Sequence, residues 1–249
     1  MSYKVALVTG AAAGIGAACC KRLAEDGIAI GVLDLDIERC ADTVNAIREA
    51  GGTAHAVAAD VSNREQVHAA VEEVREKLGP ITVLVNNAGI VEFVPFEEIT
   101  DEGWDRMFAV NCRGPFIVTQ EVLPDMKAAG WGRIVNISSS SAQTGTKVQV
   151  HYSSSKGAIV SFTRSLAEAL GPYGITVNNI PPGSVMGTIM SEANRMKFPI
   201  PIEELTANMP AGRLGIPEDI AHTCAFLCHE ASSYITGQTV GVNGGRVVS

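Results

Sequence analysis

The chain has 249 residues, of which 46% are apolar, enough for one sizeable core and within the range where α/β folds stay single domains. Its formal charge of −8 and pI near 5.2 repel nucleic-acid backbones and anionic membranes, and no basic cluster overrides that field. Six cysteines at irregular spacing, in a chain too large to need staples, read as reduced thiols of a cytoplasmic protein.

The run after Lys4, V-A-L-V-T-G-A-A-A-G, imitates a short export signal, but Thr9 and Gly10 interrupt it and it reads as a strand entering a glycine loop. Short β-rich runs then alternate with stretches of helical period, the pattern of a parallel sheet with crossover helices. Strands are expected at Val5–Thr9, Ile28–Asp34, Ala54–Ala58, Ile81–Val85, Arg133–Ile137, Thr176–Ile180 and Gln238–Val242. Helices fit about 14–26, 37–50, 63–78, 102–128, 152–170 and 217–229. The expected architecture is α/β: a doubly wound, parallel, seven-stranded sheet with helices on both faces, Rossmann-like, with 1–249 as one domain. Ser62, three residues before Glu65, reads as a capping box, and Pro217 before Glu218 and Asp219 as a first helical turn. The irregular stretch at about 184–210 is longer than a connection needs and is assigned to the substrate. No segment reaches the roughly 18 uninterrupted apolar residues of a membrane span.

Gly10, Gly14 and Gly16, with Ile15 between the last two, follow the first strand and open a helix, where the backbone must turn tightly and approach a pyrophosphate. The spacing G-x-x-x-G-x-G differs from the commoner G-x-G-x-x-G, and no G-K-[ST] follows to make a triphosphate loop. Asp34 ends the second strand 18 residues after Gly16, where a carboxylate can accept from an adenosine ribose and repel a 2′-phosphate. The uncharged Ala11–Ala13 offers such a phosphate no counter-ion, so the cofactor read here is NAD rather than NADP. Asp36 reads as a helix cap.

Tyr152 and Lys156, in Y-S-S-S-K, share one helix face at i,i+4. A phenol has a pKa near 10, and a neighbouring ammonium lowers it toward the range useful for proton exchange. Taken alone the same spacing fits a solvated surface pair. Ser139 closes R-I-V-N-I-S-S at the carboxyl edge of a strand, and Asn86, Asn87 and Gly89 follow the fourth strand at that edge. With Asn111 and T-G-A-A-A-G-I-G at 9–16, D-V at 60–61, P-G at 182–183 and the late R-L-G-x-P-E-D, the whole chain resembles the short-chain dehydrogenase/reductase family.

That resemblance implies an enzyme acting on CH–OH groups, with Tyr152 as general acid/base and Ser139 hydrogen-bonding the substrate oxygen. Lys156 would hold the nicotinamide ribose and lower the tyrosine pKa, and Asn111 would support a water-linked proton relay. Ser139 is preferred to Ser138, Ser140 or Ser141 for its offset of 13 residues from Tyr152. The resemblance places Asp60 and Val61 at the adenine, Asn87 and Gly89 at the adenosine ribose, and the Val185 backbone, after Pro182 and Gly183, at the nicotinamide carboxamide. The family usually has a threonine five residues beyond that proline; here Gly187 holds the position, and Thr188 serves only if the loop shifts by one residue. The family also commonly forms homotetramers through its two long helices.

His222, Cys224, Cys228 and His229 imitate a metal site, but on one helix the cysteines and histidines project from different faces, so no metal is assigned. His151 reads as an exposed loop histidine, and Trp104 and Trp131 as packing residues. Met186, Ile189, Met190, Met196, Phe198 and Ile200 either line an adaptable apolar pocket or pack beneath the loop. The substrate read from them is a medium-sized apolar secondary alcohol or ketone: cyclic, aromatic, steroid or a hydroxyacyl thioester. Carrier-bound 3-oxoacyl reduction is the enzymatic alternative. A dinucleotide-binding regulator without turnover is the alternative of another class, against which the intact Asn111, Ser139, Tyr152 and Lys156 argue.

Overall fold

The computed structural model describes residues 4–188, 190–192, 201–207 and 209–248. Six strands, β1 (Val5–Thr9), β2 (Ala29–Asp34), β3 (Ala54–Ala58), β4 (Ile81–Asn86), β5 (Gly132–Ile137) and β6 (Ile175–Ile180), form one parallel sheet in the order β3-β2-β1-β4-β5-β6. Strand side chains alternate between two cores. Ala6 and Val8 face a layer containing α1 (Gly14–Glu25), α2 (Ala41–Glu49) and α9 (Pro217–Cys228). Val5 and Leu7 face the other, with α3 (Arg64–Leu78), α5 (Gly114–Ala129) and α7 (Val150–Leu170). Each fully buried Val, Leu or Ile contributes about 1.5–3 kcal/mol, and a one-residue slip would exchange the side chains of the two differently packed cores, so the register is strongly fixed.

The expected seventh strand, Gln238–Val242, does not form a ladder. It meets the β6 segment only at bridges Asn179–Thr239 and Pro182–Val242. Pro181, whose backbone faces that segment, has no N–H to donate, so pairing lapses between the bonds at Asn179 and at Gly183. The long helix expected at 102–128 is also interrupted: α4 (Asp101–Phe108) passes through a π-helical turn at Ala109–Arg113 before α5 begins. Pro115 cannot donate to the Asn111 carbonyl and its ring crowds it, which favours the wider turn.

The capping box at Ser62 is a second correction. Asn63 caps α3 by accepting from Gln66 N at 3.1 Å, because Ser62 turns back and places its N–H and hydroxyl on Asp60 Oδ1 (2.8 and 2.7 Å). Pro217 does open α9, where Asp219 Oδ2 accepts from Ile216 N. The described part of the stretch at 184–210 contains a helical turn at 190–192 and a short helix, α8 (Ile202–Thr206). Ile189, Met196, Phe198 and Ile200 lie outside the described residues. Among the described residues no helix is long and apolar enough to cross a membrane.

Candidate active site

β1 delivers Thr9 and Gly10 to the carboxyl edge where the strand order reverses between β1 and β4, the switch point at which open α/β sheets bind ligands. Gly10 (φ 63) and Gly14 (φ 57) take left-handed backbone, and a Cβ on Gly16 would collide with the Gly10 carbonyl oxygen. The loop is fastened from β4: Asn87 Nδ2 donates to the Thr9 and Gly10 carbonyls (3.0 and 2.9 Å), and Thr9 Oγ1 accepts from the N–H groups of Asn87 and Ala88. Ile15 packs its side chain into the core beneath. A rigid concavity therefore opens onto the amino end of α1, whose N–H groups suit a pyrophosphate.

At the end of β2, Asp34 Oδ2 accepts from Ala12 N at 3.0 Å and Oδ1 from Leu35 N at 2.9 Å. These bonds fix a negative charge beside the uncharged loop. Val61 is buried against Gly114, where an added Cβ would lie 2.8 Å from Val61 Cγ2, and this holds the Asp60–Val61 turn against α5. Asp36 Oδ1 accepts from Glu38 N, the cap expected of it.

The catalytic candidates converge at the neighbouring strand ends. Asn111, 1% exposed on the π turn, holds both backbone groups of Ile90: its Oδ1 accepts from Ile90 N at 2.9 Å and its Nδ2 donates to Ile90 O at 3.0 Å. The same Nδ2 reaches Ser155 Oγ at 3.0 Å. Ser155 is thus a further member of the cluster, hidden in the sequence because it reads only as a filler of Y-S-S-S-K. Lys156 Nζ donates to Ile137 O at 3.0 Å. Gly89 lies over both groups, since an added Cβ would be 3.1 Å from Asn111 Oδ1 and 3.2 Å from Lys156 Nζ.

Ser139 and Ser138 are separated by burial. Ser138 is buried with its Oγ unpartnered, whereas half-buried Ser139 accepts from Ser141 N (3.1 Å) and Ser141 Oγ (2.9 Å). Its own hydroxyl proton is left to donate, to the Tyr152 oxygen or to an incoming one. Tyr152 is buried, and burial raises its pKa while a hydrogen bond with Ser139 pulls the other way. Burial pushes the Lys156 ammonium down to about 8. Its Nζ lies 5.9 Å from the centroid of the Tyr152 ring.

The far wall is the segment after β6. Ser140 N donates to Pro182 O at 2.9 Å, and Gly183 N to Val242 O at 3.1 Å. Gly215 N bonds Ser184 O and Met186 N bonds Gly215 O, so the N–H and C=O of Val185 point to the opposite side. Gly187 (φ 71) occupies the usual threonine position, yet Thr188 reaches the glycine loop: a Cβ on Gly14 would lie 3.2 Å from its Cγ2. A cavity of about 300 Å³ borders this wall at Gly183–Val185, but its lining includes none of Asn111, Ser139, Tyr152 and Lys156.

His151 corrects an expectation. It is 1% exposed, not a loop residue at the surface, because the 90–95 loop folds over the start of α7 through Val94 N to Val148 O (2.8 Å). Cys224 and Cys228 are buried while His222 and His229 are exposed, so the two pairs do face apart. The Lys4 ammonium and the Arg133 guanidinium both lie over the Trp131 ring, and Trp104 stacks on Phe108.

A family model described as Enoyl-(Acyl carrier protein) reductase matches residues 10–246. The chain is 43% identical over 245 residues to the short-chain reductase protein NovJ of Streptomyces niveus, covering 97% of this chain and 93% of that protein. It is 39% identical over 246 residues to the 3-oxoacyl-[acyl-carrier-protein] reductase FabG of Aquifex aeolicus, covering 97% and 96%. Among solved structures, a single-substitution variant of actinorhodin polyketide ketoreductase with NADPH superposes with a TM-score of 0.93 at 36% identity, covering 98% of this chain and 97% of that one.

Proposed function

Since the chain belongs to the short-chain dehydrogenase/reductase family, we propose that it interconverts a secondary alcohol and a ketone with NAD(H), on a medium-sized apolar substrate. The observation that carries the reading is the buried grouping of Tyr152 and Lys156 with Ser139 and Asn111 at one sheet edge. Gly10, Gly14, Ile15, Gly16 and Thr188 would hold the dinucleotide's pyrophosphate end. Asp34, Asp60, Val61, Asn87 and Gly89 would hold its adenosine, and Pro182, Gly183 and Val185 its nicotinamide. The bare glycine surfaces that a Cβ would fill support that fit. When bound, the nicotinamide supplies or takes up the hydride.

In reduction, Tyr152 donates its phenolic proton to the carbonyl oxygen, and the Ser139 hydroxyl donates a hydrogen bond to the same oxygen as charge develops. Lys156 places a cation beside the phenolate that remains and so favours proton release. Asn111, held by Ile90 and bonded to the Ser155 hydroxyl, would support a water-linked proton relay. No metal enters this scheme. The active unit we propose is a homotetramer built on α5 and α7.

The preference for NAD(H) rests on the Asp34 carboxylate, pinned by two backbone N–H groups beside Ala12. Calorimetric titration with NADH and NADPH tests it: NADH should bind more tightly, and Asp34→Ser should narrow the gap by removing repulsion of the 2′-phosphate. Equal or tighter NADPH binding by the parent would overturn it. A screen of secondary alcohols, sugars and 3-hydroxyacyl thioesters, with the matching ketones run in reverse, tests the substrate class. A second reading, reduction of carrier-bound 3-oxoacyl groups with NADPH, is favoured by the 39% identity to FabG and would prevail if only carrier-bound substrates react.

A further inference from the structure

The last described turn of the chain is built around one buried side chain. Asn243, 8% exposed, accepts from Gly245 N with its Oδ1 (3.0 Å), donates from Nδ2 to Val247 O (3.1 Å), and accepts from Arg246 N with its carbonyl (3.2 Å). Gly244 (φ 65) and Gly245 (φ 81) supply the left-handed backbone that such a turn requires. The turn is pressed against the site's far wall: a Cβ on Gly183 would lie 2.8 Å from Asn243 Cα. From it Arg246 reaches back 62 residues, and its guanidinium donates to Ser184 Oγ at 3.0 Å.

Ser184 lies on the far wall and lines the cavity of about 300 Å³, beside but not among Asn111, Ser139, Tyr152 and Lys156. Two residues before it, the Pro182 carbonyl bonds the neighbour of Ser139; four residues after it, Thr188 touches the glycine loop. The wall between those points is the one whose Val185 backbone is free on the opposite side. Arg246 is exposed, and among the described residues its partner is a neutral hydroxyl. The nearby Arg213 differs, because two bonds of 2.7 Å to Asp219 take up its charge. The Arg246 fork keeps further N–H donors, and Ser184 keeps a proton to donate, so the pair presents several donors to one incoming group.

We propose that Arg246, with Ser184, is a specificity-determining pair that binds an oxyanion of the substrate, carboxylate or phosphate, set apart from the reacting carbon. The proposal rests on the alcohol–ketone reading and narrows it to an apolar body bearing an anionic end. On a molecule of charge −8 such a substrate is repelled at long range, and a fixed guanidinium at the site offsets that locally.

The test is a matched panel of phenyl-substituted 3-oxo and 4-oxo acids, their methyl esters and their coenzyme A thioesters, each reduced with NADH. The parent should favour the acids or the thioesters over the esters in kcat/KM, and which of the two wins tells carboxylate from phosphate. Arg246→Met should cut that selectivity about 10- to 100-fold, with Arg246→Lys recovering part of it. A parent indifferent to charge, or a selectivity unchanged in Arg246→Met, would overturn the pair. So would weaker NADH binding by Arg246→Met, which would assign the guanidinium to the cofactor. Calorimetry of 4-phenylbutyrate against 4-phenylbutanol, on the NADH-loaded protein, repeats the comparison without turnover. If no ketone reacts while the acid still binds through Arg246, the alcohol–ketone reading fails and the anion site stands.

Discussion

Tyr152 and Lys156 are neighbours on one helix face with opposite responses to burial: the phenol is raised and the ammonium lowered, each toward its neutral form. Tyr152→Phe removes the transferable proton and little volume, so kcat should fall about 10²–10⁴-fold with NADH affinity nearly intact, as read by steady-state kinetics and calorimetry. Lys156 also makes a stability prediction. Its folded pKa of about 8 lies below the 10.5 of the free side chain, so the unfolded chain binds the proton more tightly between those values and stability rises with pH across that window. Lys156→Met should therefore be more stable than the parent at pH 7 by up to about 3 kcal/mol, and the advantage should shrink above pH 8 and vanish near 10.5. Urea melts of both proteins at several pH values check the sign. Much at this scale was legible beforehand, because Ser139, Tyr152 and Lys156 sit in local motifs. His151 was not: its burial depends on the 90–95 loop, whose path over α7 no local pattern encodes.

The elements follow the apolar period closely where they are buried, and β1 and β3 match their expected limits because both cores select the same residues. Expectations failed where a backbone donor is missing or a side chain turns elsewhere. Pro115 lies inside an apolar run that reads as continuous helix, yet the π turn it favours is what presents Asn111 to Ile90. Pro181 costs the seventh strand its ladder, while the Pro182 carbonyl bonds Ser140 on the other side. Two substitutions test the strand–loop–helix unit. Gly16→Ala forces a Cβ onto the Gly10 carbonyl and should abolish NADH binding, with a melting temperature lowered by several degrees. Asn87→Ala strands two carbonyls and should weaken NADH binding about tenfold while destabilising the fold by about 1–3 kcal/mol.

At the scale of the whole molecule, α5 carries Phe116 at 42% exposure, with the Arg64 guanidinium 5.6 Å from its ring. The proposed tetramer would bury that face. Sedimentation should then give a mass near four times the 26.1 kDa of the chain, and Phe116→Glu should lower it; a monomeric parent would refute the assembly. The seam between α1 and α9 has a different consequence. Cys19, Cys20, Cys224 and Cys228 are at most 3% exposed, and Cys20 and Cys224 are held well above ordinary thiol pKa values, Cys20 chiefly by burial and Cys224 by bonds to Cys19 and Cys228 as well as burial. Burial also pushes Cys40 and Cys112 up to about 11. Thiolate is scarce in the native state, so iodoacetamide should leave the folded protein almost unmodified. The pace at which carbamidomethyl adducts accumulate in a mass spectrum then becomes a clock for how often α1 parts from α9, and a bound dinucleotide seated on α1 should slow it.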